Sequence, residues 1–385
     1  MAWFGLPIPG RSPRKTRQGF DLRTLAIIVN YKSVSLTLDA VRSVMNSESL
    51  GPVAVAVVDN SESLEEVEKL QRGLPASVDL MVNAKNVGFG RACNRAAEPW
   101  LGDAILLINP DAKLLPGCLK RLQQTLFSCK AAAAVSPQIF WDEALEYYFP
   151  PAYSPGLMEF QSYLADRAFF TRFMDLICRR YAVRAWRSRM PFRVGNLSGG
   201  LVLLKFACIQ KAGGFFDPRF FLYFEDTDLF FRLRQAGFDL LMEPRARAIH
   251  YYDQCGIMDL EKKRQLMHTS MVLFQEKYGR VWKSGLARIV SHLMPSVLNH
   301  DTATYHRCFS EPFSLEIPSG LHKEWLFEWS PNFHFTPSAG RFGTGGQLEF
   351  SEPCWKLLSK GQYYGRIGSA KRLAQQFLNM TWVVE

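Results

Sequence analysis

The sequence lacks several patterns that would assign it to a familiar class. None of its eight cysteines forms a CxxC pair, which leaves zinc knuckles and thioredoxin-like chemistry without support. Cys208 and others lie among apolar residues, as small core residues do, and free thiols are typical of the reducing cytosol. No run approaches about 18 uninterrupted apolar residues, so no transmembrane helix is expected.

The first residues also lack the layout of a signal peptide. Met1–Pro9 is short, and a basic, proline-containing run follows at Arg11–Arg17. We therefore expect a cytoplasmic protein that begins with a disordered basic arm over residues 1–22.

Length and charge limit the classes that remain. The 385 residues exceed one typical domain, and an apolar content of 48% can fill a real core. Lys and Arg number 46 against 36 Asp and Glu, which gives a net charge of +10. Such an excess attracts polyanions: nucleic acid, nucleotide diphosphates or an anionic membrane.

Short apolar runs alternate with helical patterns in the first part of the chain. The runs typical of buried strands are 25–31, 53–58, 79–82 and 104–108, and the helical patterns are 35–45, 64–74 and 90–97. This alternation predicts an α/β fold with an open, mostly parallel sheet flanked by helices. Ligands bind at the carboxyl ends of such strands. Here those ends are polar: Asn30-Tyr31, Asp59-Asn60, 83–86 and Asn109-Pro110-Asp111.

The composition changes twice further along. Residues 151–193 are rich in arginine and form a basic amphipathic pattern, and residues after about 300 show short β-like runs between Gly- and Pro-rich turns. We expect a main domain over 23–298 that includes the 151–193 insert, and a small β-rich C-terminal module over 299–385.

Three groups of residues and one histidine carry chemistry. Asp111 follows a buried strand, where a carboxylate suits a hard cation such as Mg²⁺, although Asp also closes strands in ordinary turns. Glu225, Asp226 and Asp228 follow an aromatic run; crowded acids gain a raised pKa that suits a general base, and the same acids would also stabilise a helix N-terminus. His250 follows a strand-like segment and could complete a metal site or be structural.

The third group is the segment Asn86–Asn94. Gly88 and Gly90 open a helix after a strand, which lets backbone amides approach phosphate, and Arg91 adds a charge. The segment is neither a full GxGxxG fingerprint nor a Walker A loop.

These motifs occur in one order along the chain. They are Val29-Asn30-Tyr31, Val58-Asp59-Asn60-Ser61, Asn86-Val-Gly-Phe-Gly90 with Asn94, Leu107-Ile-Asn-Pro-Asp111, Ser198-Gly199-Gly200, Gly213-Gly-Phe-Phe-Asp217, Phe224-Glu-Asp-Thr-Asp228 and His250. The set resembles the family-2 glycosyltransferases, in particular their rhamnosyltransferase-like branch, over about residues 24–280. The resemblance implies a GT-A fold and inverting transfer of a sugar from a nucleotide diphosphate donor, with Mg²⁺ or Mn²⁺ as cofactor.

The resemblance also implies roles for single residues. Asp226 would deprotonate the acceptor hydroxyl, with Glu225 and Asp228 shaping its pocket. Asp111 would be the principal metal ligand, and His250 would bind or orient the metal and diphosphate. The nucleotide and diphosphate site would contain Asn30, Asp59, Asn86, Gly88, Arg91, Asn109, Gly199 and Gly200.

One residue departs from the family's commoner pattern. Asn109 stands where the first carboxylate of Asp-x-Asp is usual, so direct metal ligation by residue 109 is not expected. The same replacement is usual in the rhamnosyltransferase-like branch, which favours dTDP-rhamnose as the donor and cell-surface polysaccharide or glycolipid assembly as the process. Two alternatives stay open: a nucleotide-sugar nucleotidyltransferase, and a non-catalytic protein that binds membrane or nucleic acid.

The arginine-rich segment bears on the acceptor. Eight arginines lie between residues 167 and 193, interleaved with aromatic and aliphatic residues. Such a helix could lie on an anionic membrane at the cytoplasmic face and bring the enzyme to a lipid-linked oligosaccharide acceptor, without nucleic acid as a partner. Alternatively, its apolar stripe packs on the protein's own core.

Overall fold

The computed structural model describes residues 21–150, 152–154, 168–252, 254–255, 260–279, 307–333, 335, 337–373 and 376–385. The predicted arm falls almost wholly on residues 1–20, which lie outside this part of the chain. The expected boundary between residues 298 and 299 and the first part of the arginine-rich insert, including Arg167, also lie outside it.

The chain divides into two compact units. The first comprises Met1–Gln138, Pro151–Pro155 and Ser188–Val281, and the second comprises Ile139–Pro150, Gly156–Arg187 and Trp282–Glu385. This division differs from the expected domain boundaries, because residues 139–150 and 156–187 group with the C-terminal strands and not with the main domain.

The first unit contains a mixed, mostly parallel central sheet. Its strands are β1 (Thr24–Asn30), β2 (Val53–Asp59), β3 (Val78–Val82), β4 (Ala104–Ile108), β5 (Ala112–Leu114), β6 (Ala132–Phe140, of which residues 132–138 belong to this unit), β8 (Phe192–Arg193), β9 (Leu201–Lys205) and β10 (Asp239–His250). Strands β3, β2, β1 and β4 are parallel neighbours, β9 and then β6 continue antiparallel, and β10 pairs antiparallel with β5 and β8.

Helices flank this sheet. They are α1 (Val34–Met45), α2 (Leu64–Gly73), α3 (Phe89–Ala97), α4 (Cys118–Ser128), α6 (Phe206–Lys211), α7 (Glu225–Gln235) and α8 (Leu260–Tyr278). The arrangement confirms the predicted α/β class, with an open, mostly parallel sheet flanked by helices. Strands β1 and β4 are buried along their whole length, which explains their uninterrupted apolar sequences.

The register of the parallel strands brings their polar ends together. Asn30 pairs with Asp59, and Asp59 pairs with Val82 on the next strand. Because parallel strands end at the same edge, the residues after β1, β2 and β3 share one side of the sheet.

The second unit is β-rich. Its strands are β7 (Tyr148–Phe149), β11 (Arg307–Phe309), β12 (Phe313–Glu316), β13 (Trp325–Ser330), β14 (Ala339–Gly343), β15 (Gln347–Phe350), β16 (Gly361–Ser369) and β17 (Gln376–Val384). The order is β7-β14-β13-β16-β17-β11, with β12 and β15 as a separate pair. A 3-10 turn (Ser319–Leu321) and helix α9 (Glu352–Lys356) connect strands. Buried aromatic residues such as Trp329, Phe350 and Trp382 fill its core.

The predicted arginine-rich helix is α5 (Ala168–Arg187) of the second unit. Its side chains are described from residue 174 onward. Ala182, Val183 and Trp186 pack against Leu326 and Ala370 of the same unit, and Arg179 is buried beside Glu328. The described apolar stripe therefore packs on the protein's own core and does not face a membrane. In the described part of the chain, no helix is long and apolar enough to span a membrane.

Candidate active site

Asp59 ends strand β2 in a buried polar network. The Asn30 amide donates to Asp59 Oδ1 at 2.7 Å and to Ser61 Oγ at 2.9 Å, and Asn30 Oδ1 accepts from Thr37 Oγ1 at 2.8 Å. Asp59 Oδ2 is buried and has no hydrogen-bond partner among the described residues. The Asn30 amide is thus occupied by bonds within this network, and the acceptor left without a partner among the described residues is Asp59 Oδ2.

The segment that opens α3 is held by hydrogen bonds of its own. Asn86 Oδ1 accepts from the Gly88 backbone at 2.9 Å, and Asn60 Nδ2 donates to the Gly88 carbonyl at 3.3 Å. Asn83 in turn donates to Asn60 at 2.7 Å, which links the ends of β2 and β3. Arg91 is exposed, and its Nε donates to the Pro218 carbonyl at 2.8 Å.

Asp111 and His250 form a pair beside the end of β4. His250 Nε2 lies 3.0 Å from Asp111 Oδ1, and the Gln254 backbone donates to Asp111 Oδ2 at 3.2 Å. Asp111 is 2% exposed. Burial acts to raise the pKa of this carboxyl, but the His250 charge and hydrogen bond outweigh it and lower the pKa to about 2. The His250 side chain is 14% exposed; burial acts to lower its pKa, but the Asp111 charge and hydrogen bond outweigh burial and raise it.

Gly199 and Gly200 lie between the Asp111–His250 pair and the acidic residues that begin α7. The Gly199 amide donates to Asp226 Oδ2 at 2.8 Å, and a Cβ at residue 199 would lie 3.0 Å from Asp226 Cβ. At residue 200, a Cβ would lie 2.9 Å from His250 Cε1 and 3.1 Å from Asn109 Nδ2. Glycine suits both positions because the side chains of Asp226, His250 and Asn109 pack closely on this backbone and leave little room for a Cβ.

The two acids that begin α7 differ in their surroundings. Asp226 is partly exposed, accepts from Gly199 and from the Thr227 backbone, and has its pKa raised by burial despite these bonds. Glu225 is 5% exposed, and its Oε2 has no partner among the described residues. Burial and then the Asp226 charge raise the pKa of Glu225 to about 8. A pKa of about 8 favours a protonated Glu225 at neutral pH, whereas Asp226 is partly exposed and held by Gly199 and Thr227.

Asp228, the third acid of this group, has other partners. Its fully buried carboxylate accepts from Arg232 at 2.8 Å, Lys277 at 2.5 Å and Tyr278 at 2.6 Å. Asp228 therefore joins α7 to the end of α8, and these hydrogen bonds connect it to neither Asp226 nor Gly199. The Arg232 contact has the i, i+4 spacing that a sequence reveals, whereas Lys277 and Tyr278 give no such signal.

The structure thus groups most of the predicted residues in one unit. One cluster contains Asp111, His250, Asn109, Gly199, Gly200 and Asp226. A second group lies at the same edge of the sheet: Asp59 accepts from Ser61, Asn60 donates to the Gly88 carbonyl, and Asn86 accepts from the Gly88 backbone. Gln254 and Cys255, which both bond Asp111, were not predicted. Both lie in an irregular segment with no recognisable motif.

The comparison with known families identifies the class of this protein. The model described as "Glycosyltransferase like family 2" matches residues 23–275. The match covers well over half of the chain, so the protein belongs to this family and is a glycosyltransferase. This excludes the two alternatives considered from the sequence.

Two curated relatives have the same name. In Mycobacterium tuberculosis strains CDC 1551 / Oshkosh and ATCC 25618 / H37Rv, the "N-acetylglucosaminyl-diphospho-decaprenol L-rhamnosyltransferase" is 28% identical over 262 residues. The alignment covers 63% of this chain and 83% of each relative.

Two solved structures are more distant. GalNAc-T7 with UDP, GalNAc and Mn²⁺ is 15% identical with a TM-score of 0.43, and the match covers 72% of this chain and 59% of that one. The mannosyltransferase PcManGT of Pyrobaculum calidifontis, in complex with GDP-Man and Mn²⁺, is also 15% identical with a TM-score of 0.43, covering 74% and 70%. The match thus spans less than two thirds of GalNAc-T7.

Proposed function

We propose that the protein transfers rhamnose from dTDP-rhamnose, with inversion, to a hydroxyl of a lipid-linked acceptor in cell-surface polysaccharide or glycolipid assembly. The observation that carries this proposal is the position of Gly199-Gly200. Gly199 contacts Asp226 and Gly200 lies against His250, so the proposed base and the proposed metal ligand lie against adjacent residues of one backbone segment.

Asp226 is proposed as the base. Its Oδ2 is oriented by the Gly199 amide at 2.8 Å and its Oδ1 by Thr227 at 2.6 Å, so the carboxylate has one fixed orientation. The acceptor oxygen attacks the anomeric carbon, its proton passes to Asp226, and the bond from that carbon to the phosphate oxygen breaks. Positioned general-base help is worth about 10²–10⁴-fold.

Asp111 and His250 are proposed to hold Mg²⁺ or Mn²⁺. They are a hydrogen-bonded carboxylate and imidazole, and no group of three or more such ligands occurs in the described part of the chain. Two protein ligands fit these ions, which commonly take the rest of their ligands from water and phosphate. When bound, the ion would neutralise charge on the departing diphosphate.

Asp59 is proposed to bind the nucleoside. Its unpartnered Oδ2 is a buried acceptor at the ligand edge of the sheet, and an N–H or hydroxyl donor of the nucleotide would satisfy it. Asn30 would not contact the nucleotide; its amide donates to Asp59 Oδ1 and so orients the Asp59 carboxylate. The Asn86–Gly88 turn would approach the nucleotide with its backbone, because the side-chain oxygen of Asn86 already accepts from the Gly88 amide.

A lipid-linked acceptor and a place at the cytoplasmic face of a membrane complete the proposal. The curated relative's name specifies a diphospho-decaprenol acceptor, and helix α5 presents exposed Arg180 and Arg184 one turn apart. Since the described apolar stripe of α5 is buried, attraction to an anionic surface would be electrostatic and not by insertion.

The test is a transfer assay with dTDP-rhamnose and N-acetylglucosaminyl-diphospho-decaprenol in Mn²⁺, comparing wild type with Asp226→Asn. We expect the variant to bind dTDP normally and to transfer at least about a hundredfold more slowly, since only proton abstraction is removed. Asp79→Asn, exposed on β3, is the matched control. A near wild-type rate for Asp226→Asn would show that Asp226 is not the base.

A further inference from the structure

Helix α3 contacts the segment that precedes the proposed base at both ends. Asn94 Nδ2 donates to the Phe216 carbonyl at 2.8 Å, and Asn94 Oδ1 accepts from the Phe216 amide at 3.0 Å. At the first turn of α3, the Phe89 amide donates to the Phe221 carbonyl at 3.0 Å. Residues 216–221 are therefore fixed to one helix by bonds at their beginning and their end.

The same helix also packs closely on this segment and on the start of α7. A Cβ at Gly88, where φ is +87°, would lie 2.2 Å from the Phe221 carbonyl oxygen. A Cβ at Gly90 would lie 3.1 Å from Phe216 Cβ and 3.5 Å from Glu225 Cβ. A larger residue at either position would push the segment away from α3.

The end of the segment has an unfavourable backbone. Tyr223 and Phe224 have φ values of +67° and +64°, in the left-handed region that bulky L-residues rarely adopt. Such residues persist only where the surroundings hold them, and they concentrate at functional sites. Ser270 Oγ helps from the other side by donating to the Leu222 carbonyl at 2.7 Å. Asp226 follows this strained turn by two residues.

We propose that Asn94 is a positioning residue for glycosyl transfer: by clamping Phe216 it fixes residues 216–224, and through them Asp226, relative to the turn at residues 86–88. This inference rests on the proposed function, in which Asp226 is the base and the 86–88 turn approaches the nucleotide. The Asn94 side chain is engaged with Phe216. Its two bonds use both the donor and the acceptor of one amide, which no other side chain of this size supplies.

The effect expected of its loss is on the rate and not on nucleotide binding. Asn94→Ala removes both bonds and lowers kcat with dTDP-rhamnose about ten- to a hundredfold, the loss that a displacement of about 1 Å brings. Asn94→Asp keeps the acceptor for the Phe216 amide and loses the donor, so its kcat falls between the two. The affinity for dTDP with Mn²⁺ stays within about twofold of wild type in both variants.

A double-variant cycle tests whether Asn94 acts through Asp226. We expect Asn94→Ala to add no more than about threefold to the loss that Asp226→Asn causes alone, because a base that is absent cannot be misplaced. Losses that multiply in full, or a wild-type kcat in Asn94→Ala, overturn the proposal. Asn94→Asp enters the same cycle if the alanine variant does not fold. Asn46→Ala, exposed at the end of α1, is the control and keeps wild-type kcat.

The outcomes separate the two proposals. A wild-type rate in Asp226→Asn removes the base and the role of Asn94 with it. An impaired Asp226→Asn combined with multiplying losses overturns the role of Asn94 alone.

Discussion

Glu225 is a carboxyl group buried beside the proposed base, and its replacement by glutamine gives a quantitative test of the site's electrostatics. Its pKa is raised from an ordinary 4.5 to about 8, by burial first and by the Asp226 charge second. Glutamine has nearly the shape of the protonated acid and no charge at any pH. Glu225→Gln should therefore fold normally and lose only the titration.

The sign of the effect follows from proton linkage. Between about pH 4.5 and 8 the folded protein keeps the Glu225 proton that the unfolded chain has lost. The free energy of unfolding of wild type therefore falls as pH rises through this window, by up to about 1.4 kcal/mol per pH unit. From pH 5 to pH 7 the stability of Glu225→Gln relative to wild type should thus rise by at most about 3 kcal/mol.

Urea unfolding of both proteins at half-unit steps from pH 5 to 8 measures this difference. Histidines and other groups titrate in the same range, but they are present in both proteins and cancel. Glu276→Gln, exposed on α8, is the matched control and should follow wild type at every pH. A difference between Glu225→Gln and wild type that stays constant over this range would refute the buried, protonated state of Glu225.

Three further predictions concern the metal pair, the α3 turn and the basic face of α5. Asp111→Ala should abolish the gain in dTDP affinity that Mn²⁺ gives in calorimetry; a gain that survives would exclude Asp111 from the metal site. Gly88→Ala should lower the free energy of urea unfolding by about 2–4 kcal/mol, since a left-handed backbone and an overlap with Phe221 both cost energy, and a change below about 0.5 kcal/mol would contradict this contact. Replacing Arg180 and Arg184 together by glutamine should weaken co-sedimentation with phosphatidylglycerol vesicles about thirtyfold at low salt, whereas equal partitioning would exclude this face as the membrane contact.

Much of the first unit could be predicted from the sequence because its signals are local. The apolar runs of β1 and β4 and the helical spacing of α1 depend on neighbours a few residues away, and the structure has all three within a residue or two of the predicted limits. The polar strand ends were equally visible. A parallel sheet brings such ends to one edge whatever their separation in the chain, so Asn30 and Asp59 were expected together.

What each polar side chain does was decided only by the tertiary structure. Asn30 is a polar residue at the end of a parallel strand, where ligand-binding residues are expected, yet its amide donates to Asp59 and Ser61. Asp228 has the same local sequence context as Asp226, but Lys277 and Tyr278 reach it from the far end of α8. Hydrogen-bond partners at such separations leave no periodic trace in the sequence.

The arginine-rich helix shows the same limit. Its amphipathic pattern determined that one face would be covered, but a pattern does not distinguish a membrane from the protein's own strands. In the folded chain Leu326 and Ala370 cover that face, and the Glu328 carboxylate compensates the buried charge of Arg179. A buried arginine persists only with such a partner, which here lies some 150 residues further along the chain and is brought to it by the fold of the second unit.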